Sequence, residues 1–214
     1  RAGADSGATG ALTGVELVAV PKGRWRYRNP GAEIARAIGA GSARSVLSTL
    51  GVLQQTLISD ACQRIAAGEL QSALIVGGDA GHRILRAKMA GECAAERQQE
   101  STPDELIEAA EDLLHPAELA AGIRLPVALY AIMASAWRHA RGFEPAAQRQ
   151  STAQLYEAFS RVAADNPHAW RRRVWSAQEL AQASERNPVQ AFPYNRAHCA
   201  SWNVDQAGAL DRKS

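Results

Sequence analysis

The stretch STLGVLQQTLISDACQRIAAGE, residues 48–69, decides how the chain folds. Apolar side chains recur at Leu53, Leu57, Ile58, Ala61 and Ile65, the spacing of one helix face. Gly68 stands where a helix C-terminal glycine belongs. Upstream, RSVLSTL (44–50) is β-rich. The pattern predicts a buried strand over 44–50 running into a helix over 52–67, with glycine at the joint. Such a joint suits a nucleophile, because the unpaired N–H groups of a helix start stabilise an anion. Leu50-Gly51-Val52 offers no side chain that can attack.

The neighbouring segments extend the same alternation. GVELVAV (14–20) is a short apolar run closed by Pro21-Lys22-Gly23 and reads as a strand. NPGAEIARAIGA (29–40) has Pro30 near its start and apolar positions at Ile34, Ala37 and Ile38, which predicts a helix. SALIVGG (72–78) is a further buried strand, and the Ala/Gly-rich residues 1–13 read as the tail of a helix. Strands apolar on both faces, alternating with helices, imply a parallel sheet with covered faces.

After residue 90 the chain becomes polar and acidic. Helices are expected over 127–141 and 151–164, the second broken at Asn166-Pro167, and over 176–184, ending near RNP (186–188). No strand is expected within 96–190. The predicted organisation is a core over 1–95, an inserted helical domain over 96–190 and a return to the core over 191–214.

Composition narrows the function. A net charge of +2 gives no reason to expect nucleic acid or an anionic membrane as partner. No run approaches the roughly 18 apolar residues of a membrane span, and no signal-peptide pattern opens the chain. Cys62, Cys93 and Cys199 are odd in number and form no Cys-x-x-Cys, which points to a reducing, cytoplasmic setting. No Cys or His pair stands at zinc-ligand spacing, so no metal is expected. GGDAG (77–81) departs from the dinucleotide fingerprint and reads as a tight turn. Arg171, Arg172 and Arg173, between Trp170 and Trp175, read either as a solvated face or as a phosphate contact. His139 and His168 read as solvated, and Cys62 as a small core residue.

The segment IAAGELQSALIVGGDAG (65–81) resembles the thiolase superfamily, whose first half runs strand, nucleophile, helix, Ala-Gly-acidic turn, strand, Gly-Gly. Thiolases place the reactive Cys at the helix start, eighteen positions before that acidic residue, and counting back from Glu69 reaches Gly51. The resemblance is closest to a thiolase-like branch labelled acetyl-CoA acetyltransferase, whose helix begins near Gly-Asn-Thr-Pro-Gln. Gly51 and Gln55 match that pattern, whereas Val52, Leu53 and Gln54 depart from it and remove two polar groups. YEAFSRVAADNPHAW (156–170) is similar to the branch's loop domain, and FPYNRAHCASWNVDQAGAL (192–210), with Val204-Asp205-Gln206, to its return to the core.

The resemblance implies an α/β thiolase-type fold, with a parallel-rich sheet, covering helices and an inserted helical loop domain, here apparently half of the full fold. It implies acyl-CoA chemistry in lipid metabolism, acyl transfer or C–C bond cleavage and formation, but without the covalent Cys, because Gly51 occupies its position. It further implies coenzyme A thioester as substrate or ligand and no covalently bound cofactor. Arg171, Arg172 and Arg173 would meet the CoA phosphates, and the N–H groups of Val52 and Leu53 would serve as oxyanion donors. A homodimer is expected, with 44–50 near an isologous interface, or a partner chain that supplies a C-terminal half with its catalytic His and second Cys. Two other readings stay open: a non-catalytic acyl-CoA-binding or scaffolding subunit, and an unrelated nucleotide-binding α/β domain.

Overall fold

The computed structural model describes residues 10–213, so the expected helix tail over 1–13 lies mostly outside them; residues 10–14 form a turn. Strand β1 (Leu17–Pro21) is apolar on both faces. Leu17 and Ala19 enter one buried cluster, Val18 and Val20 another. Helix α1 (Pro30–Ala37) starts where Asn29 accepts the Ala32 N–H at 3.1 Å and Pro30 needs no N–H partner. It covers the Val18/Val20 face through Ala35. Strand β2 (Arg44–Ser48) follows, then α2 (Gln54–Ala66), which covers the opposite face through Leu57 and Ala61. Burying a leucine such as Leu57 stabilises by about 2 kcal/mol. Strand β3 (Ser72–Ala80) leads directly into α3 (Gly81–Met89).

With β4 (Glu105–Ile107) and β7 (Asp205–Lys213), the sheet order is β4-β2-β1-β3-β7. β1 pairs in parallel with β2 and with β3, in register Leu17 to Arg44 and Leu17 to Ala73. Placing α1 and α2 on opposite faces is what right-handed crossovers in opposite directions require.

One strand corrects the sequence reading. β4 (Glu105–Ile107) lies inside the segment expected to hold none, and pairs in parallel with β2 from Val46–Glu105 to Ser48–Ile107. Three residues are too few to show alternation, and acidic neighbours mask them. Side chains fix it: Glu105 meets Arg64 of α2 at 2.8 Å, and Asp104 Oδ2 accepts both the N–H and the hydroxyl of Ser45 at 2.7 Å. The Ser45 N–H, seconded by the Ser45 hydroxyl, holds the Asp104 carboxyl below its ordinary pKa. β4 occupies the outer side of β2 along Val46–Ser48.

The described residues form two compact units, residues 10–113 with 202–213, and residues 114–201. The second comprises α4 (Pro116–Ala120), α5 (Pro126–Ala140), α6 (Pro145–Asp165), α7 (Ala177–Ala181) and the hairpin β5 (Val189–Ala191) with β6 (Tyr194–Asn195). Three of these helices begin at proline, whose missing N–H costs nothing there. α6 begins before the expected residue 151 because Pro145 sets its first turn and Gln148 Nε2 donates to Ala134 O of α5 at 2.8 Å. It ends at Asp165, as Asn166-Pro167 predicts. Strand β7 (Asp205–Lys213) then pairs antiparallel with β3 along its whole length. No helix among the described residues is long and apolar enough to cross a membrane.

Candidate functional site

The carboxyl ends of β1, β2 and β3 share one edge of the sheet, and ligands of open α/β sheets bind outside the carboxyl ends of the strands.

At the end of β2 the chain turns through residues 49–52. Thr49 N–H donates to Ile107 O at 2.9 Å and its hydroxyl accepts Ala109 N–H at 2.9 Å. Gly51 adopts φ +102°, and a Cβ there would stand 2.9 Å from Ala109 Cβ. Glycine is therefore required by backbone and space together. Leu53 is the cap, extended and without a side-chain hydrogen bond, so α2 starts at Gln54 and Gly51 lies two residues ahead of the cap. The expected helix start at 52 shifts because the left-handed residue breaks the helical path. Val52 N–H donates to Thr49 O at 3.3 Å within this turn. Leu50 and Leu53 flank the turn as exposed apolar side chains.

The ends of β1 and β3 are locked by groups that the sequence reading left without roles. Arg24 Nε pairs with Asp79 Oδ2 at 2.8 Å, and its guanidinium also hydrogen-bonds Trp202 O. Trp25 Nε1 donates to Gly78 O at 2.9 Å. Asp205 Oδ1 accepts the N–H groups of His82 and Arg83, each at 3.1 Å, placing a carboxylate on the first turn of α3. GGDAG and the Val-Asp-Gln signature thus hold loop to strand and strand to helix. The missed element is the loop KGRWRYR (22–28), whose alternation of basic and aromatic residues was visible in the sequence.

The arginine run lies in the second unit, all three residues exposed. Arg172 Nε donates to Ala164 O at 3.1 Å. Arg173 pairs with Glu179 at 2.5 Å and stacks over Trp175 with 4.0 Å to the ring centroid. Arg171 has no ion-pair partner among the described residues; its charge partly offsets the burial that pushes the Cys199 thiol up. Nearby in the same unit, His198 is buried, with Nδ1 accepting Asn195 N–H at 2.9 Å and the Tyr156 ring edge-on at 4.7 Å. Burial pushes the His198 pKa down, which keeps its imidazole neutral. Among the described residues, no group of three or more His, Cys, Asp or Glu side chains is placed to hold a metal ion.

No family model and no curated protein matches the sequence. Solved structures do match. A monomeric SCP2-thiolase-like protein type 1 from Mycobacterium smegmatis aligns with TM-score 0.60 and 24% identity, covering 94% of this chain and 36% of that one. An Ltp2–ChsH2(DUF35) aldolase aligns with TM-score 0.61 and 16% identity, covering 97% of this chain and 46% of that one. The fold is thiolase-like: a mixed α/β architecture around a mostly parallel central sheet. The chain spans less than half the length of either of these proteins.

Proposed function

We propose that this thiolase-like chain acts on acyl-CoA thioesters without forming an acyl-enzyme. The observation that carries the reading is the backbone at Gly51: within a thiolase-like fold, the turn between β2 and α2 holds a left-handed glycine with no room for a Cβ. Covalent attack from this position is closed, which leaves chemistry on the acyl carbons next to the thioester. C–C bond cleavage or formation is such chemistry, and one structural neighbour is an aldolase. Leu53 N–H is a candidate to meet the thioester oxygen.

A titration of the protein with a panel of acyl-CoAs tests the reading. Saturable binding that varies with the acyl group is expected, and absence of binding across the panel would overturn it. A second reading, a non-catalytic acyl-CoA-binding or scaffolding subunit, draws support from the same glycine. Turnover of a bound acyl-CoA in the presence of the chain's native partners would decide for the enzyme.

A further inference from the structure

Two cavities of the first unit adjoin at the carboxyl ends of β1 and β3, sharing Tyr27, Ile84, Glu96, Arg97 and Gln99. The first, about 580 Å³, is mainly apolar. Its floor is the α1 face of the sheet: Val20, Val76, Gly78 and Ala207, with Ile34 of α1 and the Trp25 ring as walls. Gly77, Gly78 and Ala80 of β3 and Ala207 of β7 bring little or no side chain to this part of the lining.

The second cavity, about 1070 Å³, is basic. Lys22, Arg24, Arg26, Arg28, Lys88 and Arg97 line it, against three carboxylates, Glu92, Glu96 and Glu100. That excess of three cations exceeds the +2 of the whole chain, so the charge is concentrated here. Part of it is already neutralised, since Arg24 pairs with Asp79 and Arg97 with Glu33. Lys22, Arg26 and Lys88 have no ion-pair partner among the described residues. The loop is fixed in place: Arg26 N–H donates to Glu96 Oε2 at 2.8 Å, and Lys22 Nζ lies 4.4 Å from the Trp25 ring centroid.

We propose that the two cavities form one binding site for a small amphipathic anion, with an apolar chain or ring in the first and a phosphate head in the second. The apolar volume is within the usual range of ligand pockets, about 300–1,000 Å³. The site lies outside the carboxyl ends of β1 and β3, the end of an α/β sheet at which ligands bind. Arginine and lysine together suit a phosphate, which takes charge-assisted hydrogen bonds from both. The proposal does not depend on acyl-CoA being the substrate. A phosphorylated lipid and a nucleotide-linked acyl group carry the same chemistry.

The test is calorimetric titration of the whole chain with octyl phosphate, kept below its micellar range and at low salt. Saturable one-to-one binding is expected, with inorganic phosphate and octanol each at least about tenfold weaker, the equivalent of one charge-assisted contact or a few buried methylenes. Replacing Lys22, Arg26 and Lys88 together with Gln should weaken octyl phosphate by about tenfold or more. Ala37→Phe, at an exposed helix end on the apolar wall, should remove the advantage of octyl phosphate over inorganic phosphate. Unchanged affinity in the triple variant, equal binding of inorganic and octyl phosphate, or no binding of octyl phosphate would each overturn the proposal. Displacement of octyl phosphate by an acyl-CoA or by a lysophosphatidic acid identifies which source the site favours, and either displacement supports it. An acyl-CoA titrated by itself bears on the proposed function; its failure would leave the octyl phosphate result standing.

Discussion

The two units of the chain solve the problem of folding with different interiors. Among the described residues, the buried apolar side chains of the first unit run from Val15 to Ile75, whereas the second contributes Ala153 and Leu180. Each unit buries four polar residues, Asn29, Ser45, Ser48 and Ser72 in the first and Gln148, Asn187, Asn195 and His198 in the second, but only in the second do they outnumber the buried apolar ones. Asn187 shows how this works. Its Oδ1 accepts Ala197 N–H at 2.8 Å while its Nδ2 reaches Glu179 O at 3.3 Å and Gln182 O at 3.4 Å, tying α7 to the segment after β6. The first unit is held by area removed from water, the second by specific polar contacts that cost heavily when one partner is lost. The second unit also leaves Tyr130, Met133 and Trp137 exposed along α5, and Leu155, Phe159 and Val162 along α6.

The largest effect is expected from cutting the apolar interior. Leu57→Ala, at a site only 1% exposed between α2 and the sheet, should cost about 2–5 kcal/mol in chemical denaturation. Asn187→Leu keeps the volume and removes the hydrogen bonds; it should cost about 1–3 kcal/mol. A neutral result would mean that the second unit does not depend on its polar interior, and the contrast between the units would fail. Gly51→Ala should cost about 1–3 kcal/mol, since alanine is strained at φ +102° and its Cβ meets Ala109. Equal stability would show that the turn relaxes freely and that glycine is not required there.

The smallest effect concerns acid. The Asp104 pKa is lowered in the folded chain by the Ser45 N–H, so its contribution is complete above the ordinary aspartate value of about 3.9 and is lost as pH falls through the depressed value. Asp104→Asn should flatten the acid limb of the stability curve without steepening it elsewhere. Asp104 is exposed, so the change is modest, and an unaltered acid limb would remove it from the account.

These contrasts also explain what could be read in advance. Strands β1, β2 and β3 were legible because parallel strands covered on both faces are continuous apolar runs. The helix break at Asn166-Pro167 was legible because proline disfavours helix in the residue before it, whereas α7 ends at Ala181, short of the expected 184 and ahead of Asn187-Pro188. β4 was not, because Leu106 is its one residue between two half-buried neighbours and its hold comes from Arg64 and Ser45, about 40 to 60 residues earlier. The Val52 N–H bond to Thr49 O was not legible either, since it depends on the turn that the chain takes after β2. Gly51 could be placed at the joint by spacing, but its positive φ depends on the path the chain takes past Ala109. The two cavities were hidden because residues 22–28 and 92–100 meet only after β1, β3 and α3 are assembled. The basic and aromatic alternation at 22–28 was the available signal, and it was passed over beside the more conspicuous run at Arg171–Arg173.

The central claim is that acyl-CoA is handled here without a covalent intermediate. Intact-protein mass spectrometry after incubation with a saturating acyl-CoA, quenched in acid to preserve thioesters, tests it directly. The account predicts an unchanged mass under conditions where titration shows the ligand bound. An added acyl mass that survives denaturation and maps to Cys62, Cys93 or Cys199 would contradict it.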